Sequence, residues 1–178
     1  MKGIAEGVEN TNYLVTTEQG DYILTLYEKR VDCGDLPFFI SLLDYLAAQS
    51  VPCPVPIHDR QGRVLHTLCG RSAALFSFLP GISVRRPSVA QCAAVGAELA
   101  KLHLAGRGFE MRRENSLSLG GWERLRSDLG DRADELWHGL GDLLDTELET
   151  LRAHWPGDLP AGVIHADLFP DNVLFLNG

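Results

Sequence analysis

The chain has 178 residues and a mass of 19.6 kDa, with 45% apolar and 22% charged residues, which allows one or two small globular lobes with their own core. Its net charge of −8 argues against a nucleic-acid partner, whose phosphates reward clustered Lys and Arg. No apolar run approaches the ~20 residues of a membrane span, and Met1-Lys-Gly-Ile-Ala-Glu-Gly7 lacks the apolar core of a signal peptide, so a cytoplasmic location without membrane contact is expected. Cys33, Cys53, Cys69 and Cys92 are widely spaced and form no C-x-x-C pair. They read as reduced thiols rather than as zinc ligands.

In chain order, Gly3-Ile-Ala-Glu-Gly7-Val8-Glu9-Asn10 contains two glycines without a G-x-G-x-x-G pattern, and alone it reads as a surface loop. Residues 13–17 and 22–28 alternate as strands, joined by the turn-forming Glu18-Gln-Gly-Asp21. Asp35 as N-cap, Pro37 in the first turn, and apolar Leu36, Phe39, Ile40, Leu43 and Leu46 predict a helix over 36–49. Pro52-Cys-Pro-Val-Pro56 cannot continue it. Strands are expected at 55–58 and 63–66 around Asp59-Arg-Gln-Gly62, and a central one over Ser72–Phe78. Leu79-Pro80-Gly81 then breaks the pattern. Ser88-Val-Ala-Gln91 is a capping box. It opens a helix with a stripe of Cys92, Val95, Leu99 and Leu102, and Gly106 is its stop. His103, beside the stripe, reads as a buried, hydrogen-bonded structural histidine. Trp122, Leu125 and Leu129 suggest a short helix, and Leu136, Leu140, Leu143, Leu144, Leu148 and Leu151 a longer one ending near Trp155-Pro156. Strands with one helix followed by helices give an α+β chain with no internal repeat.

The most informative stretch comes last. Gly162-Val-Ile-His165-Ala-Asp167-Leu-Phe-Pro-Asp171-Asn172-Val-Leu-Phe-Leu176 reads as a short apolar strand, a tight polar loop and a second apolar strand. With 6 His, 13 Asp and 5 Asn in 178 residues, the order His-x-Asp-x₄-Asn arises by chance about 0.01 times. This is the catalytic-loop spacing of phosphoryl-transfer kinases. A hydroxyl nucleophile needs a carboxylate to orient it and take its proton, the role of Asp167. Mg²⁺ is a hard cation that prefers oxygen, and the amide of Asn172 supplies one.

His165-Ala-Asp167-Leu-Phe-Pro-Asp-Asn172 resembles the catalytic loop of the aminoglycoside phosphotransferase/choline kinase superfamily. Together with Gly7-Val-Glu-Asn10-Thr-Asn-Tyr13 and Tyr22-Ile-Leu-Thr-Leu-Tyr-Glu-Lys-Arg30, it resembles the homoserine kinase branch, from Lys2 to Leu176. The resemblance implies a protein-kinase-like α+β fold in two lobes. Residues 1–79 would be a nucleotide-binding N-lobe of antiparallel sheet plus helix, and 80–178 a partial helical C-lobe with its catalytic loop at 163–176. It implies phosphorylation of the L-homoserine hydroxyl by ATP with Mg²⁺, giving O-phosphohomoserine for threonine biosynthesis. Asp167 would be the base, His165 the loop support and Asn172 a metal ligand. Gly7, Val8, Glu9 and Asn10 would cover the phosphates, with Thr25 on the strand beneath. Phe78 and Leu79 would meet the adenine at the hinge, although a strand end before a Pro-Gly turn explains them equally. His103 would lie on the structural helix preceding the catalytic loop. A kinase for another small hydroxyl compound, of choline or aminoglycoside type, and a catalytically inactive nucleotide-binding module are the alternatives; the oligomeric state is open.

Two departures from the resembled pattern stand out. Thr25 occupies the place of the phosphate-binding strand lysine, with Lys29 two pleats further on the same face, and helix 36–49 offers no Glu to pair with it. Losing both is self-consistent, because a lone buried partner would be an uncompensated charge. The second metal-binding aspartate of such kinases falls beyond Asn177-Gly178, so the sequence reads as an internal piece, inactive by itself.

Overall fold

A five-stranded antiparallel sheet organises the first half of the chain. In the computed structural model, which describes residues 2–6, 10–28 and 32–176, the strands are β1 (Lys2–Glu6), β2 (Asn10–Thr17), β3 (Gly20–Tyr27), β4 (His66–Leu68) and β5 (Arg71–Ser77). Their order is β1-β2-β3-β5-β4. Gly7, Val8, Glu9 and Lys29 lie outside the described residues. The sequence shows no alternation over Lys2–Glu6, yet β1 pairs with β2, from Lys2↔Leu14 to Glu6↔Thr11, with a break between Gly3 and Ala5. An edge strand is made by its ladder more than by its side-chain pattern.

The β2–β3 hairpin matches expectation. Thr17 donates to the Gly20 carbonyl and accepts from the Gln19 N–H, and the register from Asn10↔Tyr27 to Thr17↔Gly20 is unbroken. The expected hairpin around Asp59–Gly62 does not form. Residues 55–57 lie along β5, with Ile57 N–H donating to Leu75 O and Ser77 N–H to Val55 O. Only Pro56↔Phe76 bridges, because Pro54 and Pro56 have no N–H to offer a ladder. The hairpin is instead β4–β5. Its two turn residues, Cys69 (φ 52°) and Gly70 (φ 74°), have the positive φ of a type I′ turn.

Helix α1 (Leu36–Ala48) covers one sheet face. Ile40 packs with Ala74, Phe76 and Val64, flanked by Tyr27, Leu43 and Leu65. Asp35 stands at its N-cap but forms no side-chain cap. Asp32 organises the entry instead, accepting the Asp35 N–H on its carbonyl and the Gly34 N–H on its carboxylate. Helix α2 (Val89–Gly106) opens on the expected capping box, with Ser88 N–H to Gln91 Oε1 at 2.8 Å and Gln91 N–H to Ser88 Oγ at 3.3 Å. Val95, Leu99 and Leu102 form its less exposed stripe, while Cys92 and His103 are exposed. The expected burial of His103 is therefore corrected: one residue past Leu102 is about 100° around a helix. Tyr45 joins α1 to the end of α2, donating to Ala105 O and packing its ring on Phe109.

The chain divides into two compact units, residues 1–111 with 162–178, and residues 112–161. The second holds α3 (Leu119–Leu129), a 3₁₀ turn (Gly130–Glu135) and α4 (Leu140–His154). Arg126 reaches Asp145 and the Gly130 carbonyl, Arg152 reaches Glu123, and Trp122 meets Trp155 edge to face. A Cβ on Gly121 would collide with the Ser116 carbonyl oxygen, so any other residue there forces the backbone to shift. The longer helix starts at Leu140 rather than Leu136, because Gly139 turns the chain at φ 85°.

In the first unit, 162–176 forms no strand on either side of its polar loop. A ladder needs a partner backbone, and among the described residues only Phe175 finds one, in a bridge to Ile82. No helix of the described residues is long and apolar enough to cross a membrane.

Candidate active site

The polar loop is shaped by three local devices. Ala166 adopts φ 65°, a left-handed conformation uncommon outside glycine, and so reverses the chain between His165 and Asp167. Phe169 is extended, and Pro170–Asn172 forms a 3₁₀ turn in which Asn172 N–H donates to Phe169 O at 2.9 Å. The Asn172 amide then closes the loop, its Nδ2 donating to Asp167 O at 2.8 Å and to Asp167 Oδ2 at 2.9 Å. The pair expected from spacing is thus in direct contact, and both residues are exposed. His165 is exposed, and its ring makes no hydrogen bond among the described residues.

The loop is fastened to the segment after β5. Ser83 Oγ donates to Pro170 O at 2.9 Å, and Ile82 and Phe175 exchange two backbone bonds of 3.0 and 2.9 Å. Gly81 makes this approach possible. At its φ of +149° a Cβ would stand 2.9 Å from Leu174 Cβ and 3.1 Å from Phe175 O.

On the same unit a cleft of ≈ 490 Å³ opens over one face of the sheet. Ile23, Phe76, Phe78, Leu79 and Leu174 line its apolar part, and Asn10, Asn12, Thr25 and Ser77 its polar part. None of the described residues lining it is charged. Tyr27, also on this face, has its phenol pKa raised by burial. Thr25 is only 7% exposed and donates to Asn12 Oδ1 at 2.7 Å. Asn10 Oδ1 is buried and has no donor, which typically costs about 1–3 kcal/mol.

The structure therefore brings Asn10, Thr25, Phe78 and Leu79 into one cleft, with Leu174, two residues beyond Asn172, at its edge. Asp167, Asn172 and His165 are not among its lining residues. Asn12, Ile23 and Tyr27 were not singled out from sequence, but period-2 alternation from Asn10 and Thr25 puts all three on the same face. Among the described residues, no three His, Cys, Asp or Glu side chains converge as a metal centre would.

A strand-rich unit with an apolar cleft and a His-x-Asp-x₄-Asn loop is the design of a phosphotransferase. The chain belongs to the phosphotransferase enzyme family, whose model matches residues 1–178. Its relatives include the homoserine kinases of Xanthobacter autotrophicus, 58% identical over 175 residues and covering 98% of this chain, and of Rhodospirillum rubrum, 56% identical over 176 residues and covering 99%. The chain spans about half the length of these curated relatives, 54% and 55% respectively. A spectinomycin phosphotransferase solved with ADP and spectinomycin shares the fold, with a TM-score of 0.66 at 15% identity over 99% of this chain and 60% of the other.

Proposed function

We propose that this chain forms the nucleotide-binding sheet and catalytic loop of a homoserine kinase, which transfers the terminal phosphoryl group of ATP to the L-homoserine hydroxyl. The supporting observation is the direct Asp167–Asn172 pairing in a chain 58% identical to a homoserine kinase. Residues 1–79 serve as the nucleotide lobe, with Gly7, Val8, Glu9 and Asn10 over the phosphates, Thr25 on the cleft floor, and Phe78 and Leu79 against the base. The catalytic loop is carried by the partial C-lobe, 80–178.

Asp167 accepts the hydroxyl proton as the substrate oxygen bonds to phosphorus and the bond to the ADP oxygen breaks; the products are O-phosphohomoserine and ADP. Asn172 holds the Asp167 carboxylate through Nδ2, which fixes its orientation within the loop. The role of loop support for His165 comes from the sequence resemblance alone, since its exposed ring bonds to no described residue. Mg²⁺ fits the same residues, because the Nδ2 bonds to Asp167 leave Asn172 Oδ1 free for a hard cation. When bound, it neutralises charge on phosphate oxygens.

The test is ATP consumption by the complete gene product with L-homoserine, choline, spectinomycin or no acceptor, with the product identified by ³¹P NMR. Homoserine-dependent ADP formation is expected. Turnover with choline or spectinomycin alone assigns a different small-molecule kinase. Nucleotide binding without turnover on any acceptor assigns an inactive binding module, a reading that the absence of a lysine at Thr25 favours.

A further inference from the structure

We infer that the Asn12 amide, aimed by the Thr25 hydroxyl, is a donor that meets the phosphate chain of a bound nucleotide, in a cleft whose described lining carries no cation. The inference rests on the proposed nucleotide cleft and concerns how its polar end works. Thr25 and Asn12 are directly opposed in the β2–β3 ladder. The Thr25 hydroxyl donates to Asn12 Oδ1 at 2.7 Å, which commits the acceptor end of the amide. Asn12 Nδ2, with two N–H groups, has no protein acceptor among the described residues, and Asn12 lines the cleft. The acceptor end of the amide is thus held by Thr25, and its donor end is left for a ligand in the cleft.

Three observations say that this end of the cleft is built for a polar ligand. Asn10 Oδ1, one pleat along β2 on the same face, is buried with no donor; a ligand hydroxyl or N–H satisfies it. The ladder sets Ile23 opposite Phe76 and Thr25 opposite Ala74. The apolar end near Phe78 and Leu79 therefore gives way to the polar row within about 7 Å, two residues of strand. A flat apolar base joined to a hydroxylated, phosphorylated tail fits that sequence of environments. Finally, no described lining residue carries a charge. A lysine at Thr25 would find no carboxylate on α1 to pair with, since Asp44, the acidic residue of that helix, is engaged by His58 at 3.0 Å. A neutral, pre-aimed amide avoids leaving a charge buried and unpaired, and a hydrogen bond from it to an ionic oxygen is of the strong kind.

The experiment is calorimetric binding of adenosine, ADP and MgATP to the complete gene product and to Asn12→Ala, Asn12→Asp, Thr25→Val and Thr25→Ser, with the Tm of each as a check on folding. Asn12→Ala and Thr25→Val are expected to weaken ADP and ATP about tenfold or more while adenosine stays within about threefold, as loss of a bond to a charged group dictates. Asn12→Asp should weaken ATP further, and Thr25→Ser should restore it. Equal losses for adenosine and ATP, or unchanged ATP affinity in a folded Asn12→Ala, overturn the inference and leave the kinase reading standing. Failure of the wild type to bind any nucleotide overturns both.

Discussion

Ala166 holds a left-handed φ between His165 and Asp167, the residue proposed as the base. Such a conformation costs a residue with a Cβ on the order of 1 kcal/mol, and strain of this kind persists where surrounding contacts over-determine it. Here those contacts are the two Asn172 bonds to Asp167 and the 3₁₀ turn behind them. In the complete gene product, Asp167→Asn is expected to lower kcat by about 10²-fold or more with nucleotide affinity largely kept, the usual penalty for a lost general base; steady-state kinetics with a parallel ADP titration checks it. Asn172→Ala should raise the Mg²⁺ concentration for half-maximal rate, and it also frees Asp167, so its kcat should fall too. This pair was legible in the sequence because the loop is local: five positions separate the partners, and spacing alone brings them together. Asn12 was not, because its importance depends on which residue of β3 lies opposite, and a register is invisible until the strands are paired.

At the scale of elements, the well-read pieces are those whose cause is local. The α2 capping box was evident in Ser88 and Gln91, and Ser88→Ala should cost about 1 kcal/mol, seen as a Tm lower by about 2–4 °C in a scan of a protein this size. One misread piece has a distant cause, and two have local ones. Residues 162–176 carry strand-like apolar runs, but a run cannot reveal that its backbone partner is Ile82. The 66–71 hairpin escaped because Cys69-Gly70 is a rarer type I′ pair than Asn-Gly, and the prolines at 54 and 56 turned an expected strand into an edge contact. Two glycines test the packing of these elements directly. Gly81→Ala, pressed on Leu174 and Phe175, should destabilise by about 1–3 kcal/mol and reduce turnover with it. Gly121→Ala, forced into the Ser116 carbonyl, should fail to give a native Tm at all.

For the molecule as a whole, pH acts through the turn that tethers α1. His58 lies between two acceptors, the Gly62 carbonyl at 3.1 Å and the Asp44 carboxylate at 3.0 Å. Both contacts are satisfied only when both ring nitrogens carry hydrogen. The Gly62 carbonyl first, and the Asp44 carboxylate second, therefore raise its pKa. The stabilisation is complete below the ordinary value of about 6.5 and is lost as pH climbs through the raised one. Asp59, held by the Arg63 N–H first and then by its guanidinium and the Gln61 N–H, is lowered to about 2. Its share is present above about 4 and disappears as pH falls toward 2. Stability should thus be fullest between roughly pH 4 and 6.5 as far as this turn is concerned. His58→Ala should lower Tm at pH 5.5 and have a much smaller effect at pH 9, as paired thermal scans would show. The bond from Ser83 to Pro170, 87 positions apart in the chain, has a consequence in time rather than in space. Closing a loop of that length costs about 2 kcal/mol more in entropy than closing one of ten residues, and long-range closures come late in folding. The β2–β3 and β4–β5 hairpins, with their two-residue turns, can be ordered while the 165–172 loop is still searching. On the ribosome, the 165–172 corner thus cannot be fastened until Phe175 has emerged to meet Ile82, well after the hairpins of the sheet are out.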